Sequence, residues 1–145
     1  MSLFQSLSVS ASGMSAQSVR AQIITENLAN SETTRTPEGG PYRRKDVVFE
    51  SQAQGSPFSA VFQEQLSPAA MGVGAAEVRE DDRPPVMRYQ PGHPHADERG
   101  YVAYPHISPA EEMVDLMGAS RGYQANVAAF SAAKDMVNKS IDLMR

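Results

Sequence analysis

Hydrophobic positions recur at sevens at both ends of the chain and give way to shorter alternating runs between them. Leu7, Met14, Ala21 and Leu28 form one series, with Leu3, Ala11 and Ile24 filling neighbouring positions of the same helical face. Toward the other end, Leu116, Tyr123, Phe130, Val137 and Met144 form an unbroken series, and Met113, Val127 and Ile141 supply a companion line interrupted by Ser120 and Lys134. The pattern predicts two long helices, over residues 1–30 and 109–145. All ten prolines lie from Pro37 to Pro109, so neither end carries a helix-breaking residue in its interior. The second helix has a marked start: in "SPAE", Ser108 stands as N-cap, Pro109 at the first helical position and Glu111 where a capping box needs its carboxylate.

Neither helix is strong alone. The first carries Ser2, Ser6, Ser8, Ser10, Ser12, Ser15, Ser18 and Gly13, all poorer helix formers than alanine. The second contains Gly118 and Gly122 one turn apart, where either a close neighbour or a bend is expected. Two such helices, joined by a small middle region, are expected to pair antiparallel through their heptad stripes, too weakly to be secure alone, so that the ends are partly disordered in the isolated chain.

Residues 31–108 read as a small β-rich domain with Pro/Gly loops. Its expected strands are "DVVFE" (Asp46–Glu50), "FSAVF" (Phe58–Phe62), which also fits a short helix, "AAEVRE" (Ala75–Glu80), "VMRYQ" (Val86–Gln90) and "GYVAY" (Gly100–Tyr104), with "SPAAMGVGAA" as a loop. The fold class is therefore α+β: an antiparallel coiled-coil-like helix pair around a mainly β middle. A length of 145 residues with 41% hydrophobic content allows one domain with a modest core.

Composition removes several functions. The net charge of −4 argues against nucleic acid as a partner. The absence of cysteine excludes disulfides, thiolate metal sites and thiol nucleophiles. The first thirty residues hold a single basic residue, Arg20, and no apolar core of a secretory signal, so any export is expected to use a route that needs no cleaved signal.

Candidate chemistry is sparse. His93, His95, Asp97 and Glu98, with His106 further on, offer metal-ligand atoms without the spacing of a familiar site, and Pro91, Gly92 and Pro94 make a polar turn the better reading. Arg43, Arg44 and Lys45 beside Tyr42 form one basic triplet on an acidic chain, better suited to a protein interface than to nucleic acid. "PEGGP" lacks the lysine and the following helix of a phosphate cradle. No nucleophile stands with a base, and neither a cofactor nor an enzymatic activity is predicted. Asn27–Asn30 closes the first helix, with Asn30 expected as a left-handed C-cap.

Four stretches resemble the flagellar basal-body rod proteins, and among them the proximal-rod type: "SGMSAQSVRAQIITENLANSETT" (Ser12–Thr34), "PYRRKDVVFE" (Pro41–Glu50), "HPHADERGYVAYPHI" (His93–Ile107) and "EEMVDLMGASRGYQANVAAFSAAKDM" (Glu111–Met136). The motif positions are Asn27, Asn30, Tyr42, Arg43 and Arg44 at the junction, and His93, Pro94, Gly100, Tyr101 and Val102 in the middle domain. The resemblance implies a structural subunit that polymerises through its terminal helices into the rod crossing the periplasm, serving as drive-shaft and export conduit. Its implied partners are other copies, other rod proteins, the adapter linking rod to membrane ring, and the flagellar type III export apparatus. Subunit contacts are then expected at Leu7, Met14, Ala21, Ile24, Leu28, Leu116, Tyr123, Val127, Phe130, Val137, Ile141 and Met144. The competing reading is a small ligand- or metal-binding domain with dimerising coiled-coil ends.

Overall fold

The computed structural model describes residues 3–53 and 71–143. Helix α1 (Leu3–Ala29) and helix α2 (Pro109–Leu143) lie antiparallel along one another. Between them come strands β1 (Lys45–Ala53), β2 (Met71–Glu80), β3 (Val86–Tyr89) and β4 (Tyr101–Tyr104). They make two separate antiparallel hairpins, β1–β2 and β3–β4. The α+β architecture with a paired-helix frame is as the sequence pattern implies. The strand expected at Phe58–Phe62, the first part of the expected loop and Met144 fall outside the described residues.

The helices do pair, but not stripe to stripe. The positions of α2 that vanish from the surface are Glu112, Ala119 and Ala133, and Asn126 falls on the same line at sevens. That line sits one residue, about 100° around the helix, from Met113, Val127 and Ile141, which are 55%, 40% and 54% exposed. Leu116, Phe130 and Val137, closer to the seam, are half-buried, and Tyr123 is exposed. On α1 the buried positions are Ser10, Ala16, Ile24 and Asn27, while Leu7, Met14, Ala21 and Leu28 are half-buried flanks.

The reason is size. Gly13 faces Asn126 so closely that a Cβ built on it would stand 2.7 Å from Asn126 Oδ1. Likewise a Cβ on Gly122 would stand 3.2 Å from Gln17 Cδ. Small residues let the backbones approach until the larger side chains no longer fit between them, so the apolar stripes are displaced to the sides. Close approach was the right expectation for Gly122, whereas nothing lies within 4 Å of a Cβ on Gly118. At 35 residues α2 is about 52 Å long and exceeds the 27 residues of α1.

The hairpins are positioned from this frame. In β1–β2, Lys45 pairs with Glu80 and Ala53 with Met71, with a bulge between Val48 and Phe49. Met71–Gly74, expected within a loop, extends the strand expected from Ala75. Glycine explains both the expectation and its failure: Gly72 is buried, and Val73 N donates to Ser12 Oγ at 3.1 Å, so α1 supports a strand whose own β propensity is poor. In β3–β4, Val86 pairs with Tyr104 and Tyr89 with Tyr101, and Val102 is 1% exposed. Gly100, with φ of 81°, closes this hairpin where a Cβ would meet the Tyr89 ring at 2.9 Å.

The end of α1 corrects one expectation. No described residue other than glycine has positive φ, so Asn30 is not a left-handed cap. Its Nδ2 instead donates to Glu26 O at 3.0 Å, and Ser31 Oγ donates to Leu28 O at 2.8 Å, so side chains cover the final carbonyls. The start of α2 is at Pro109 as expected, with Glu112 N donating to Ser108 O at 3.0 Å.

The seam makes two glycines opposite in behaviour. Gly118→Ala removes backbone entropy in open space and raises stability by up to about 1 kcal/mol. Gly13→Ala must expel an Asn126 side chain whose Nδ2 is tied to Gly122 O, and Gly13→Leu costs about 1–3 kcal/mol. Thermal melts of these two variants beside the parent check the order Gly118→Ala, parent, Gly13→Leu.

Candidate functional site

The described residues hold one place where buried polar groups from distant parts of the chain converge: the junction of α1, the loop after it, β1 and the start of α2. Asn27 is fully buried and uses all its hydrogen-bonding capacity. Its Oδ1 accepts from Lys45 N at 2.9 Å and from the Tyr42 hydroxyl at 3.1 Å. Its Nδ2 donates to Lys45 O at 2.8 Å and to Glu112 Oε2 at 3.2 Å. An asparagine amide can satisfy both backbone groups of one strand residue, so Asn27 acts as an extra strand neighbour for Lys45.

Glu112 is 1% exposed and carries the second half of the hub. Arg44 Nε donates to Glu112 Oε1, and the same guanidinium lies 3.7 Å from Asp115 and 3.8 Å from Asp46. Burial works against the Arg44 charge, but the hydrogen bond and charge of Glu112, with Asp46 and Asp115 behind, hold its pKa above the ordinary value. Glu112 also lies in the first turn of α2, where the helix dipole favours a carboxylate. Beside it, Lys45 Nζ meets Glu26 Oε1 at 2.6 Å. Burial, then the charges of Glu26, Glu80 and Glu112, push the Tyr42 phenol well above its usual range and keep it a donor.

The basic triplet is thus divided. Arg44 and Lys45 are committed within the chain, while Arg43 points outward, its side chain 64% exposed and 4.0 Å from Asp82. A cavity of about 230 Å³ opens between this loop and Asp81–Pro85. Its Arg83 is paired with Asp81, whose carboxyl the Arg83 hydrogen bond draws below the ordinary range.

The His93–Val102 motif builds the β3–β4 turn. Asp97 Oδ1 accepts from Arg99 N and Tyr101 N, His93 Nδ1 accepts from His95 N at 3.1 Å, and His95 Nδ1 lies 2.8 Å from Thr34 Oγ1. The imidazoles of His93 and His95 meet edge to face at 5.3 Å, and His93 lies against Tyr104. Among the described residues no three His, Asp or Glu side chains converge as metal ligands would. Pro94 and Tyr101 are exposed, with Tyr101 stacked edge-on against Tyr89.

Asn27, Tyr42 and Arg44 were legible as motif residues; their convergence was not. Glu112 was missed because a capping box draws attention to Glu111. Its signal was the line Glu112, Ala119, Asn126, Ala133, a polar and small heptad running beside the apolar ones.

Comparison with known proteins finds similarity over the whole chain. Residues 7–35 match the family "Flagella basal body rod protein", and residues 98–143 match "Flagellar basal body rod FlgEFG protein C-terminal". The two matched segments each supply one side of the hub, Asn27 and Glu112. The chain is 41% identical to "Flagellar basal-body rod protein FlgC" of Bacillus subtilis (strain 168), covering 99% of each. It is 34% identical to the protein of that name from Borreliella burgdorferi, covering 100% of this chain and 99% of the relative. The one from Salmonella typhimurium (strain LT2) is 38% identical over 99% of this chain and 98% of its own.

Removing the hub's partners leaves buried groups unpaired. Glu112→Ala, which strands a half-buried arginine, is expected to cost about 3 kcal/mol, and Asn27→Ala about 1–3 kcal/mol, while Val127→Ala stays near about 0.5 kcal/mol. Denaturant titrations measure all three. The Tyr42 phenol has a raised folded-state pKa, so its stabilisation is complete below the ordinary tyrosine pKa and is lost as pH rises through the folded value. Alkaline titration of phenolate absorbance in the parent shows a component above the ordinary tyrosine range, which Tyr42→Phe removes.

Proposed function

The chain belongs to the FlgC family of flagellar basal-body rod proteins, and from that membership we propose that it polymerises through its terminal helices into the proximal rod. Its role is structural: a subunit of the drive-shaft, and of the conduit through which later components pass. One observation carries this reading. Met113, Met117, Val127 and Ile141 expose an apolar stripe along α2 that the partner helix leaves uncovered. Most monomeric proteins do not leave large apolar side chains exposed along a whole helix, and such a face asks for a protein neighbour. Ile141 also lies beyond the stretch of α2 that faces the described residues of α1.

The half-buried flanks add to it. Leu7, Met14, Ala21 and Leu28 on α1, and Leu116 and Phe130 on α2, are partly covered within the chain and offer the remaining area to neighbours, and exposed Tyr123 adds to it. Ile24 lies inside the seam and serves the subunit itself. Unlike patches that meet without closing generate a helical polymer, which is the geometry a rod needs. The neighbours are other copies, the sibling rod proteins, and the adapter that joins rod to membrane ring. Narrow small-residue helices that fold marginally alone also suit passage, unfolded, through a type III export apparatus into the periplasm without a cleaved signal. Among the described residues no helix is long and apolar enough to cross a membrane.

Val127→Glu with Ile141→Glu separates assembly from folding, because both side chains are exposed in the free subunit. The double variant is expected to keep parental helix content by circular dichroism while losing swimming and yielding basal bodies without rods. Normal swimming would remove the stripe from the interface. Arg43→Glu is expected to weaken assembly with little effect on the melt, since Arg43 alone of the triplet faces outward.

A further inference from the structure

The helix seam repeats itself, and that raises the question of what chooses its alignment. In the observed register Asn27 stands opposite Glu112 and Gly13 opposite Asn126, fourteen residues back along one helix and fourteen forward along the other. The layer midway between them places Arg20 opposite Ala119, with Arg20 Nη2 reaching Asp115 at only 3.7 Å. Apart from Ile24, the buried seam residues are small or polar, so little apolar area distinguishes one heptad alignment from the next. The observed alignment even keeps an imperfection: Gln17 Oε1 is buried without a hydrogen-bond partner.

Sliding α1 by one heptad, about 10 Å along the axis, gives a chemically reasonable competitor. Gly13 then faces Ala119, Ser6 faces Asn126, whose side chain must swing aside as it would for Gly13→Ala, and Arg20 stands opposite Glu112, exchanging its 3.7 Å contact with half-exposed Asp115 for a buried carboxylate. Two arginines therefore compete for Glu112. Arg44 holds it in the observed structure, and with Asn27 and Tyr42 it links Glu112 to the strand entry at Lys45.

We propose that the Asn27–Glu112–Arg44 cluster is a register lock, which selects this alignment of α1 and α2 against one slid by a heptad in which Arg20 takes Glu112. The lock makes the docking of β1 and the alignment of the helices one event, because the side chains that seat Lys45 are those that claim Glu112. A single buried polar contact is a known physical means of fixing helix register at some cost in stability.

The absence of cysteine makes the test clean. Nitroxide labels on Ser18→Cys and Ser131→Cys, both exposed, report the axial offset by pulsed electron resonance without touching the seam. The otherwise unaltered chain is expected to give one distance. Arg44→Ala, which frees Glu112, is expected to add a second, longer distance displaced by about 10 Å along the axis, and Arg44→Gln a smaller fraction of the same. Adding Arg20→Ala to either restores the single distance. A single distance throughout, or a second distance indifferent to Arg20→Ala, would overturn the proposal. So would loss of helical circular dichroism in both Arg44 variants, since the cluster would then hold the helices together rather than choose between alignments.

Discussion

The contact between Asn27 and Glu112 decides most of what surrounds it. It is polar, fully desolvated and joins residues 85 positions apart in the chain. A carboxylate removed from water is tolerated only where donors replace its hydration, and here Asn27 and Arg44 supply them. Arg44 can reach Glu112 only if the loop after α1 turns back, and Asn27 anchors that turn by taking both backbone groups of Lys45. Helix pairing, strand entry and the direction of the chain between them thus depend on one set of mutually satisfied groups.

That arrangement leaves the apolar residues free for other work. A seam of Ser10, Gly13, Ala16, Ala119 and Ala133 brings the backbones close but buries little apolar area, so the subunit is held by polar specificity as much as by hydrophobic packing. The larger side chains of α2 consequently lie beside the seam or away from it. For a rod protein the division is sensible: the chain folds with its least sticky surface and leaves the stickier one exposed.

Much of this fold was legible in the sequence. The heptads and the confinement of proline located both helices within a few residues, and the Pro/Gly boundaries located β1, β3 and β4. Three features were not. The seam was read from the large residues because periodicity reports which positions share a face, not which face approaches closest, and Gly13 and Asn126 settle that by size. Met71–Gly74 looked like a loop because its glycines hide a strand stabilised by α1 through Ser12. Asn30 was expected to cap by backbone conformation, where its side chain does so in an ordinary helical turn. At the hub, each motif residue could be singled out, yet the pairing of Asn27 with Glu112 is a long-range fact that no local pattern encodes.

Native-state hydrogen exchange on the free subunit tests the central claim most directly, because it ranks amides by the free energy needed to open them. If the hub governs the fold, the slowest amides lie around Ile24–Asn27, Lys45 and Asp115–Ala119, and protection declines along α2 toward Leu143. Slowest exchange in the distal half of the helix pair, with the junction opening readily, would contradict it.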